Sequence, residues 1–268
     1  MINKLADYHI HTSFCNHANG TMKEYVKYAI RAGLNEIGFS DHNPLPANFD
    51  SHYRMQEDEL PVYLKIIREL QEAYPQIKIK IGIELDYIEG AKDYLKKFVS
   101  HNTFDYIIGS VHYLSFNSSC QIVYLNDVER KKKNELYRKY FELVAQAANS
   151  GLFDIIAHFD LPRRFWGEPD VESVNYAIKA LECIKKNNVC LEINTSGFRT
   201  RNVMEPFPGR YLLKLIRDLE IPITLGSDSH SPMDVGGHFS EVISLLKAIG
   251  FRELVCFTHR QRKPVLIE

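Results

Sequence analysis

Short apolar runs of strand length alternate with segments of helical periodicity about seven times along this 268-residue chain. Residues 77–83 (IKIKIGI) alternate strictly, and shorter apolar runs, such as residues 106–108 and 155–157, are typical of parallel strands buried on both faces. Between the runs, apolar residues recur at steps of three and four, as they do from residue 60 to 74 and from 136 to 148. No break in composition interrupts this order, which predicts repeated βαβ units of an α/β fold.

Side chains that bind metal ions follow nearly every one of these runs. The candidates are His9, His11, His17, His42, Glu84, His112, His158, Asp228 and His230. An open sheet gathers ligands from two or three strands at its switch point, whereas a closed or nearly closed barrel brings all the carboxyl ends to one mouth. The sequence therefore predicts a single barrel domain over residues 1–268, with nearer seven strands than eight and a metal site at the C-terminal ends of the strands.

The candidate ligands use seven of the eleven histidines together with two carboxylates. His9 and His11 are two residues apart, so on one strand they face the same side and can share a metal. Glu84 ends the alternating strand, and its two oxygens could bridge a pair of metals. Nine ligands are more than one ion takes while leaving a position for substrate, and they suffice for two or three divalent ions. Imidazole with carboxylate suits Zn²⁺, Mn²⁺ or Fe²⁺ without selecting among them.

Composition narrows the classes of partner. The net charge of −1 gives no electrostatic footprint for nucleic acid or an anionic membrane, so we expect neither as a partner. The five cysteines are scattered and lack CxxC spacing, which argues against a disulfide framework or a zinc ribbon. The first residues contain no apolar leader segment, and no run approaches the roughly 18 apolar residues of a membrane span. We expect a cytoplasmic protein that acts on a small molecule; its oligomeric state is left open.

Six short motifs together resemble the polymerase-and-histidinol-phosphatase (PHP) superfamily over nearly the whole chain. They are Asp7-Tyr8-His9-Ile10-His11-Thr12, Ser40-Asp41-His42, Gly82-Ile83-Glu84, Ser110-Val111-His112, Ala157-His158 and Gly226-Ser227-Asp228-Ser229-His230. The resemblance implies a distorted (β/α)7 barrel, similar to a TIM barrel, with a three-metal site at the carboxyl ends of the strands.

The resemblance also implies how the candidate ligands are divided among three ions. His9, His11, Glu84 and Asp228 would hold the first metal. Glu84, His112 and His158 would hold the second, with Glu84 as the bridge. His17, His42 and His230 would hold the third. Asp7 and Asp41 resemble the carboxylates that orient neighbouring ligands.

Within the superfamily the chain most resembles the monofunctional histidinol-phosphate phosphatases, because of its freestanding length and the arginines after its late strands. An arginine near a metal-bearing strand end can bind a phosphate with two parallel hydrogen bonds. Arg163 and Arg199 are our candidates for this contact, and Arg164 and Arg201 are the alternatives on the same loops. The implied reaction is hydrolysis of L-histidinol phosphate to L-histidinol and phosphate in histidine biosynthesis.

Phosphomonoester hydrolysis is very slow uncatalysed, so the site must stabilise a large charge in the transition state. We expect a hydroxide that bridges the first two metals to attack phosphorus in line, while the arginines neutralise the phosphate oxygens. Asp228 or His230 would pass a proton to the leaving alkoxide. Two alternatives remain open: a PHP-type phosphoesterase acting on nucleotides or nucleic-acid 3′ ends, and a metal-binding scaffold without catalysis. The tail after Gly250 is expected across the bottom or edge of the barrel.

Overall fold

The computed structural model describes residues 5–46, 49–116, 121–128 and 133–267 of the chain. Within these residues eleven strands follow one another: β1 (Ala6–Ile10), β2 (Glu36–Phe39), β3 (Lys78–Asp86), β4 (Tyr106–Ser110), β5 (Tyr113–Phe116), β6 (Gln121–Tyr124), β7 (Ile155–Ile156), β8 (Cys190–Asn194), β9 (Ile223–Gly226), β10 (Glu253–Thr258) and β11 (Gln261–Leu266). Seven of them form one parallel sheet in the order β1-β2-β3-β4-β7-β8-β9. Successive βαβ units produce this order.

The two edge strands of this sheet, β1 and β9, meet and nearly close it into a barrel. The His11 N–H donates to the carbonyl of Ser229 at 3.0 Å, and the Ser229 N–H donates to the carbonyl of His9 at 3.2 Å. Ile10 and Ser229 form a parallel bridge beyond the end of β9. The predicted (β/α)7 barrel is therefore confirmed, including the count of seven parallel strands.

Eight helices surround the sheet within the described residues: α1 (Met22–Arg31), α2 (Leu60–Ala73), α3 (Lys92–His101), α4 (Lys133–Asn149), α5 (Arg163–Trp166), α6 (Val171–Lys186), α7 (Arg210–Asp218) and α8 (Phe239–Ile249). The helical periodicity places α2 and α4 correctly. In α2, the residues at steps of three and four (Leu60, Tyr63, Ile67 and Leu70) are buried against the sheet. Across the part of the chain that is described, none of the helices has the length and apolarity needed to cross a membrane.

The amino ends of the strands form a closed bottom. The rings of Tyr8, Tyr106 and Phe257 pack together there, and the Tyr106 hydroxyl donates to the carbonyl of Tyr8 at 2.7 Å. A Cβ at Gly38 or Gly82 would lie within 2.6 Å of the Tyr106 ring, so these glycines provide the space that it occupies. Phe257 belongs to the β10–β11 hairpin, which the chain adds after the seventh parallel strand.

The β10–β11 hairpin seals the bottom through polar contacts with the loops that lead into the strands. Arg260 forms an ion pair with Asp154 at 2.9 Å, and its backbone N–H donates to the carbonyl of Asp105 at 2.7 Å. Arg262 donates to the carbonyl of Asn188 at 2.7 Å. Asp105, Asp154 and Asn188 precede β4, β7 and β8, so the tail lies across the bottom of the barrel, as expected.

A second hairpin, formed by β5 and β6, was not predicted. It follows β4 directly, on the side of the carboxyl ends, and pairs Tyr113 with Tyr124. Tyr124 reaches the wall of the cavity at the barrel mouth. The hairpin therefore adds an aromatic wall that the seven-strand scheme did not include.

Candidate metal centre

The nine candidate ligands lie at the carboxyl ends of the strands or in the loops that follow them. They surround a cavity of about 420 Å³ at the barrel mouth. All except His9 contribute to its wall, and His9 lies directly beneath it, fully buried. Sequence reasoning thus located a set of side chains that are up to 221 positions apart in the chain, from His9 to His230, and that the fold brings together.

Glu84 is the centre of the cluster and is fully buried. Its Oε2 atom faces His42 Nδ1 at 2.9 Å, and it faces the Nε2 atoms of His9 and His11 at 3.3 Å each. Its Oε1 atom faces His158 Nε2 at 3.2 Å and His112 Nε2 at 3.8 Å. One carboxylate therefore divides five imidazoles into two groups, which is the arrangement that a bridging ligand requires.

The charge state of Glu84 follows from this arrangement. Burial raises its pKa, but the surrounding imidazoles, His42 and His9 foremost, outweigh burial and bring the pKa well below its usual value. Asp228 behaves in the same way, because His9, His11 and His230 stabilise its charged form. Both carboxylates are therefore ionised and can bind a cation.

A second group of imidazoles lies on the outer side of the mouth. The Nε2 atoms of His17 and His230 are 2.8 Å apart. The Nδ1 atom of His17 donates to the carbonyl of Cys15 at 2.7 Å, and that of His230 donates to the carbonyl of Asp228 at 3.2 Å. In neutral rings both Nε2 atoms then carry lone pairs that point at each other. A cation between them relieves this repulsion, and His42 supplies a third nitrogen within 4.8 Å.

The unpaired polar atoms of the cluster also fit a metal centre. Among the described residues, Glu84 Oε2 and His42 Nδ1 are buried and have no hydrogen-bond partner, although they lie 2.9 Å apart. Buried polar groups are rarely left unpaired in proteins. The sets His9–His11–Glu84, His42–Glu84–His112, His9–His158–Asp228 and His17–His42–His230 each bring three ligand atoms within 4.8 Å of one another. The first and last sets agree with two of the implied metals, whereas the second pairs Glu84 and His112 with His42 rather than with His158.

Two candidate ligands have strained backbones. His158 and Asp228 have positive φ angles of 22° and 51°, which non-glycine residues rarely adopt. Glu192 accepts a hydrogen bond from the His158 N–H at 2.9 Å, and Ser196 donates to Asp228 Oδ2 at 3.2 Å. Strain of this kind persists only where the surroundings enforce it, and it occurs frequently at functional sites.

Two buried carboxylates orient ligand rings, and sequence reasoning missed both. Glu192 faces His9 Nδ1 at 2.6 Å, and Asp86 faces His112 Nδ1 at 2.7 Å. Each fixes the ring so that its Nε2 atom faces Glu84. The sequence did carry a signal: Asp86 follows Glu84 by two residues on the same strand and so shares its face, and Glu192 interrupts an otherwise apolar strand.

The two carboxylates that the sequence singled out hold the backbone beside ligands rather than the ligand rings. Asp41 accepts hydrogen bonds from the N–H of Thr12 at 2.7 Å and from its hydroxyl at 2.6 Å, directly after His11. Asp7 accepts from the N–H groups of Ser227 and Gly236, at 2.9 Å each. Asp7 also accepts from the N–H of the candidate ligand His9 at 3.3 Å.

The structure corrects one of the two candidate arginines. Arg163 is 2% exposed and forms ion pairs with three carboxylates: Glu168 at 2.7 Å, Asp160 at 3.4 Å, and Glu205 in closer contact. It does not line the cavity, because α5 turns it inwards. The next residue, Arg164, points to the cavity instead.

The second candidate, Arg199, lines the cavity as expected. It donates from Nη2 to the carbonyl of Ser227 at 2.6 Å and to that of Asp228 at 3.1 Å, which hold it beside the ligand cluster. Arg201, the alternative on this loop, is exposed and does not appear among the described residues of the wall. The mouth thus presents two guanidinium groups: that of Arg164 in α5, which follows β7, and that of Arg199, which follows β8.

Cys15 lies beside the cluster, on the loop that carries His17. Its sulfur lies within 4.8 Å of ring nitrogens of His11 and His230. Burial, reinforced by the negative charge of Asp41, raises the pKa of its thiol far above the usual value. The raised pKa keeps the thiol protonated at neutral pH, which disfavours it as a nucleophile.

Comparison with known proteins agrees with this geometry. A family model described as the PHP domain matches residues 7–196, which is more than two thirds of the chain. The chain belongs to the PHP family. The matched segment includes seven of the nine candidate ligands, and Asp228 and His230 follow it.

Two named relatives and two solved structures cover most of this PHP chain. A protein of Deinococcus radiodurans named "Probable histidinol-phosphatase" is 37% identical over 97% of this chain and 99% of its own length. The histidinol-phosphatase of Bacillus subtilis is 27% identical over 86% of this chain and 95% of its own length. A structure from Listeria monocytogenes shares the fold, with a TM-score of 0.81 at 24% identity over 88% of this chain and 99% of that chain.

The other solved structure is the histidinol phosphate phosphatase of Lactococcus lactis, in complex with zinc, L-histidinol and phosphate. It superposes with a TM-score of 0.79 at 26% identity, and the match covers 97% of this chain and 99% of that one.

Proposed function

We propose that this PHP protein is a histidinol-phosphatase, which hydrolyses L-histidinol phosphate to L-histidinol and phosphate in histidine biosynthesis. The observation that carries the proposal is the Glu84-centred cluster of imidazoles and carboxylates, which opens into a cavity with Arg164 and Arg199 on its wall. A cavity of about 420 Å³ is of the size that holds a small phosphorylated metabolite. The Lactococcus lactis relative, with zinc, histidinol and phosphate bound, supports the choice of substrate.

We assign two or three divalent ions (Zn, Mn or Fe) to the nine ligands. The Glu84 group would hold one or two of them, and His17, His42 and His230 would hold the outer one. When bound, such ions supply a water of lowered pKa and positive charge next to the phosphate. Glu192 and Asp86 keep the Nε2 atoms of His9 and His112 turned towards the centre, so that the ligands need little reorganisation when a metal binds.

The side chains of the chain account for phosphate binding and proton transfer. Arg164 and Arg199 would donate to the non-bridging phosphate oxygens, where negative charge must be neutralised in the transition state. Asp228 and His230 lie at the mouth with 3.6 Å between Oδ1 and Nδ1, and the Asp228 carbonyl accepts a hydrogen bond from Arg199. We assign to one of these two side chains the transfer of a proton to the leaving alkoxide.

The direct test is phosphate release by the purified protein from L-histidinol phosphate, measured beside a panel of nucleotides, sugar phosphates and an oligonucleotide with a 3′ end. We expect kcat/KM for histidinol phosphate to exceed that for every other compound. If a nucleotide or a nucleic-acid 3′ end is the best substrate, the proposal is wrong and the protein is a PHP-type phosphoesterase of the alternative kind. The single domain over residues 1–268 and the cytoplasmic location stay predictions from the sequence.

A further inference from the structure

Arg54 is one of the largest fully buried side chains of the protein, although it comes from the long irregular loop between β2 and α2. Its Nη2 atom donates to Asp86 Oδ2 and to the Tyr113 hydroxyl, at 2.9 Å each. Its Nη1 atom donates to the carbonyl of Asn43, also at 2.9 Å. The guanidinium therefore ties this loop to the end of β3 and to the hairpin that begins with Tyr113.

Asp86 connects Arg54 with the metal cluster. One of its oxygens, Oδ2, accepts from Arg54, and the other, Oδ1, lies 2.7 Å from His112 Nδ1. The Nε2 atom of His112 then faces Glu84 Oε1. Because Asp86 is fully buried, each of its oxygens needs a partner, and a change at one oxygen alters the position that is best for the other.

The backbone of the same loop is also tied to the segment that carries His17. Asn16 Nδ2 donates to the carbonyls of Ser51 and Arg54, at 3.0 Å each, and Asn16 immediately precedes the candidate ligand His17. The ring of Tyr53 lies edge-on to that of His17, with 5.5 Å between their centroids. This loop therefore contacts the surroundings of two separate ligands: those of His112 through the Arg54 side chain, and those of His17 through its backbone and the Tyr53 ring.

We propose that Arg54 is a positioning residue of the metal centre: through Asp86, its guanidinium fixes the ring of His112 in the orientation that binds a metal. The inference rests on the metal centre of the proposed function. Without the guanidinium, Asp86 keeps a buried charge with one oxygen unpaired, which favours rotation of the carboxylate away from His112. His112 then loses its fixed orientation, while the other ligands keep theirs.

The test is the affinity for zinc of Arg54→Met, measured by titration in a zinc buffer with the bound equivalents counted by mass spectrometry. Loss of an outer-shell partner usually costs about 10–100-fold in metal affinity. We expect one equivalent of zinc to bind about 10–100-fold more weakly in Arg54→Met, with the remaining equivalents unchanged. Arg54→Lys restores a single charged contact to Asp86 and should recover part of this loss.

Arg260→Met is the matched control, because it removes another ion-paired arginine at the opposite end of the barrel. It should leave the zinc titration as in the wild type. A second comparison uses His112→Ala: if Arg54 acts through His112, the double variant Arg54→Met/His112→Ala should bind zinc no more weakly than His112→Ala alone.

The outcomes separate the inference from the proposed function. If the wild-type protein binds less than one equivalent of zinc, the assignment of the metal centre itself is wrong. Wild-type protein that binds zinc, together with a folded Arg54→Met variant that titrates identically, would overturn only the role of Arg54. Equal weakening in Arg260→Met and Arg54→Met, as a general effect of lost stability, would overturn it as well.

Discussion

Both ends of the barrel contain buried carboxylates, but these carboxylates have different partners. At the bottom, Asp154 is paired with Arg260, and the Tyr8 hydroxyl both donates to Glu36 and accepts from the Phe257 N–H. At the mouth, Glu84 faces five imidazoles, and its Oε2 atom is among the buried atoms of the described residues that have no hydrogen-bond partner. The carboxylate at the bottom is matched by a guanidinium, whereas the carboxylate at the mouth is surrounded by side chains that can also bind a metal.

This difference indicates which end of the barrel stabilises the fold and which end is available for a ligand. A buried ion pair or a paired hydroxyl holds its loop in place and has no capacity left for a ligand. A cluster of buried carboxylate and imidazole atoms costs stability, and it persists where a bound ion or substrate compensates for that cost. The rule that barrel enzymes act at the carboxyl ends of their strands thus appears here as a difference in the partners of the buried carboxylates at the two ends.

The largest effect is expected from a change at the centre of the mouth. In Glu84→Gln, one of the two oxygens that face the five imidazoles is replaced by an NH2 group, which offers no lone pair to a metal, and the negative charge is lost. Loss of an outer-shell partner costs about 10–100-fold, so loss of the bridging ligand should lower kcat/KM by more than about 100-fold. Metal content should fall at the same time, and kinetics together with metal analysis would check both.

The folded state provides the control for this variant. Glutamine has the same size as glutamate, so the barrel of Glu84→Gln should still fold, and its circular dichroism spectrum should stay that of the wild type. Full metal content together with wild-type kcat/KM in Glu84→Gln would contradict the assignment of Glu84 as the bridge.

An intermediate effect is expected from the arginines on the cavity wall. Hydrogen bonds to charged groups contribute about 1.5–3 kcal/mol. Arg199→Ala and Arg164→Ala should therefore each raise KM for histidinol phosphate by about 10–100-fold, with the metal content unchanged. Steady-state kinetics on metal-loaded protein would measure this.

Arg201→Ala is the matched control, since Arg201 is exposed on the same loop as Arg199. Its KM and kcat should stay those of the wild type. A comparable rise of KM in Arg201→Ala, or an unchanged kcat/KM in Arg199→Ala, would show that the cavity wall has been assigned to the wrong arginines.

The smallest effect on catalysis is expected at the bottom of the barrel. Arg260→Met leaves Asp154 partly buried without its charged partner, so the free energy of unfolding should fall by about 1–2 kcal/mol. The kinetic constants of the folded enzyme should stay those of the wild type. Denaturant unfolding and steady-state kinetics on the same sample would check both halves. If Arg260→Met loses much of its kcat/KM without losing stability, the assignment of the bottom of the barrel to stability rather than to function is wrong.

The sequence predicted the mouth better than it predicted the network around it. Period-two and period-3.6 patterns depend on burial alone, so they located the strands and helices, and ligands placed after strand ends converge in any barrel. The choice between Arg163 and Arg164 depends on the rotation of α5, which is set by the carboxylates of Glu168 and Glu205 and is not visible in a local pattern. Arg54 lies in a loop without periodicity and Asp86 lies on a strand, so no pattern in the sequence predicts their contact.

Removal of metal tests the central claim most directly. The protein would be dialysed against a chelator until metal analysis finds less than about 0.05 equivalents per chain, and phosphate release from L-histidinol phosphate would be measured before and after Zn²⁺ or Mn²⁺ is added back. We expect activity to disappear in the metal-free protein and to return as two or three equivalents rebind. Undiminished activity in the verified metal-free protein would contradict a metal centre at the barrel mouth.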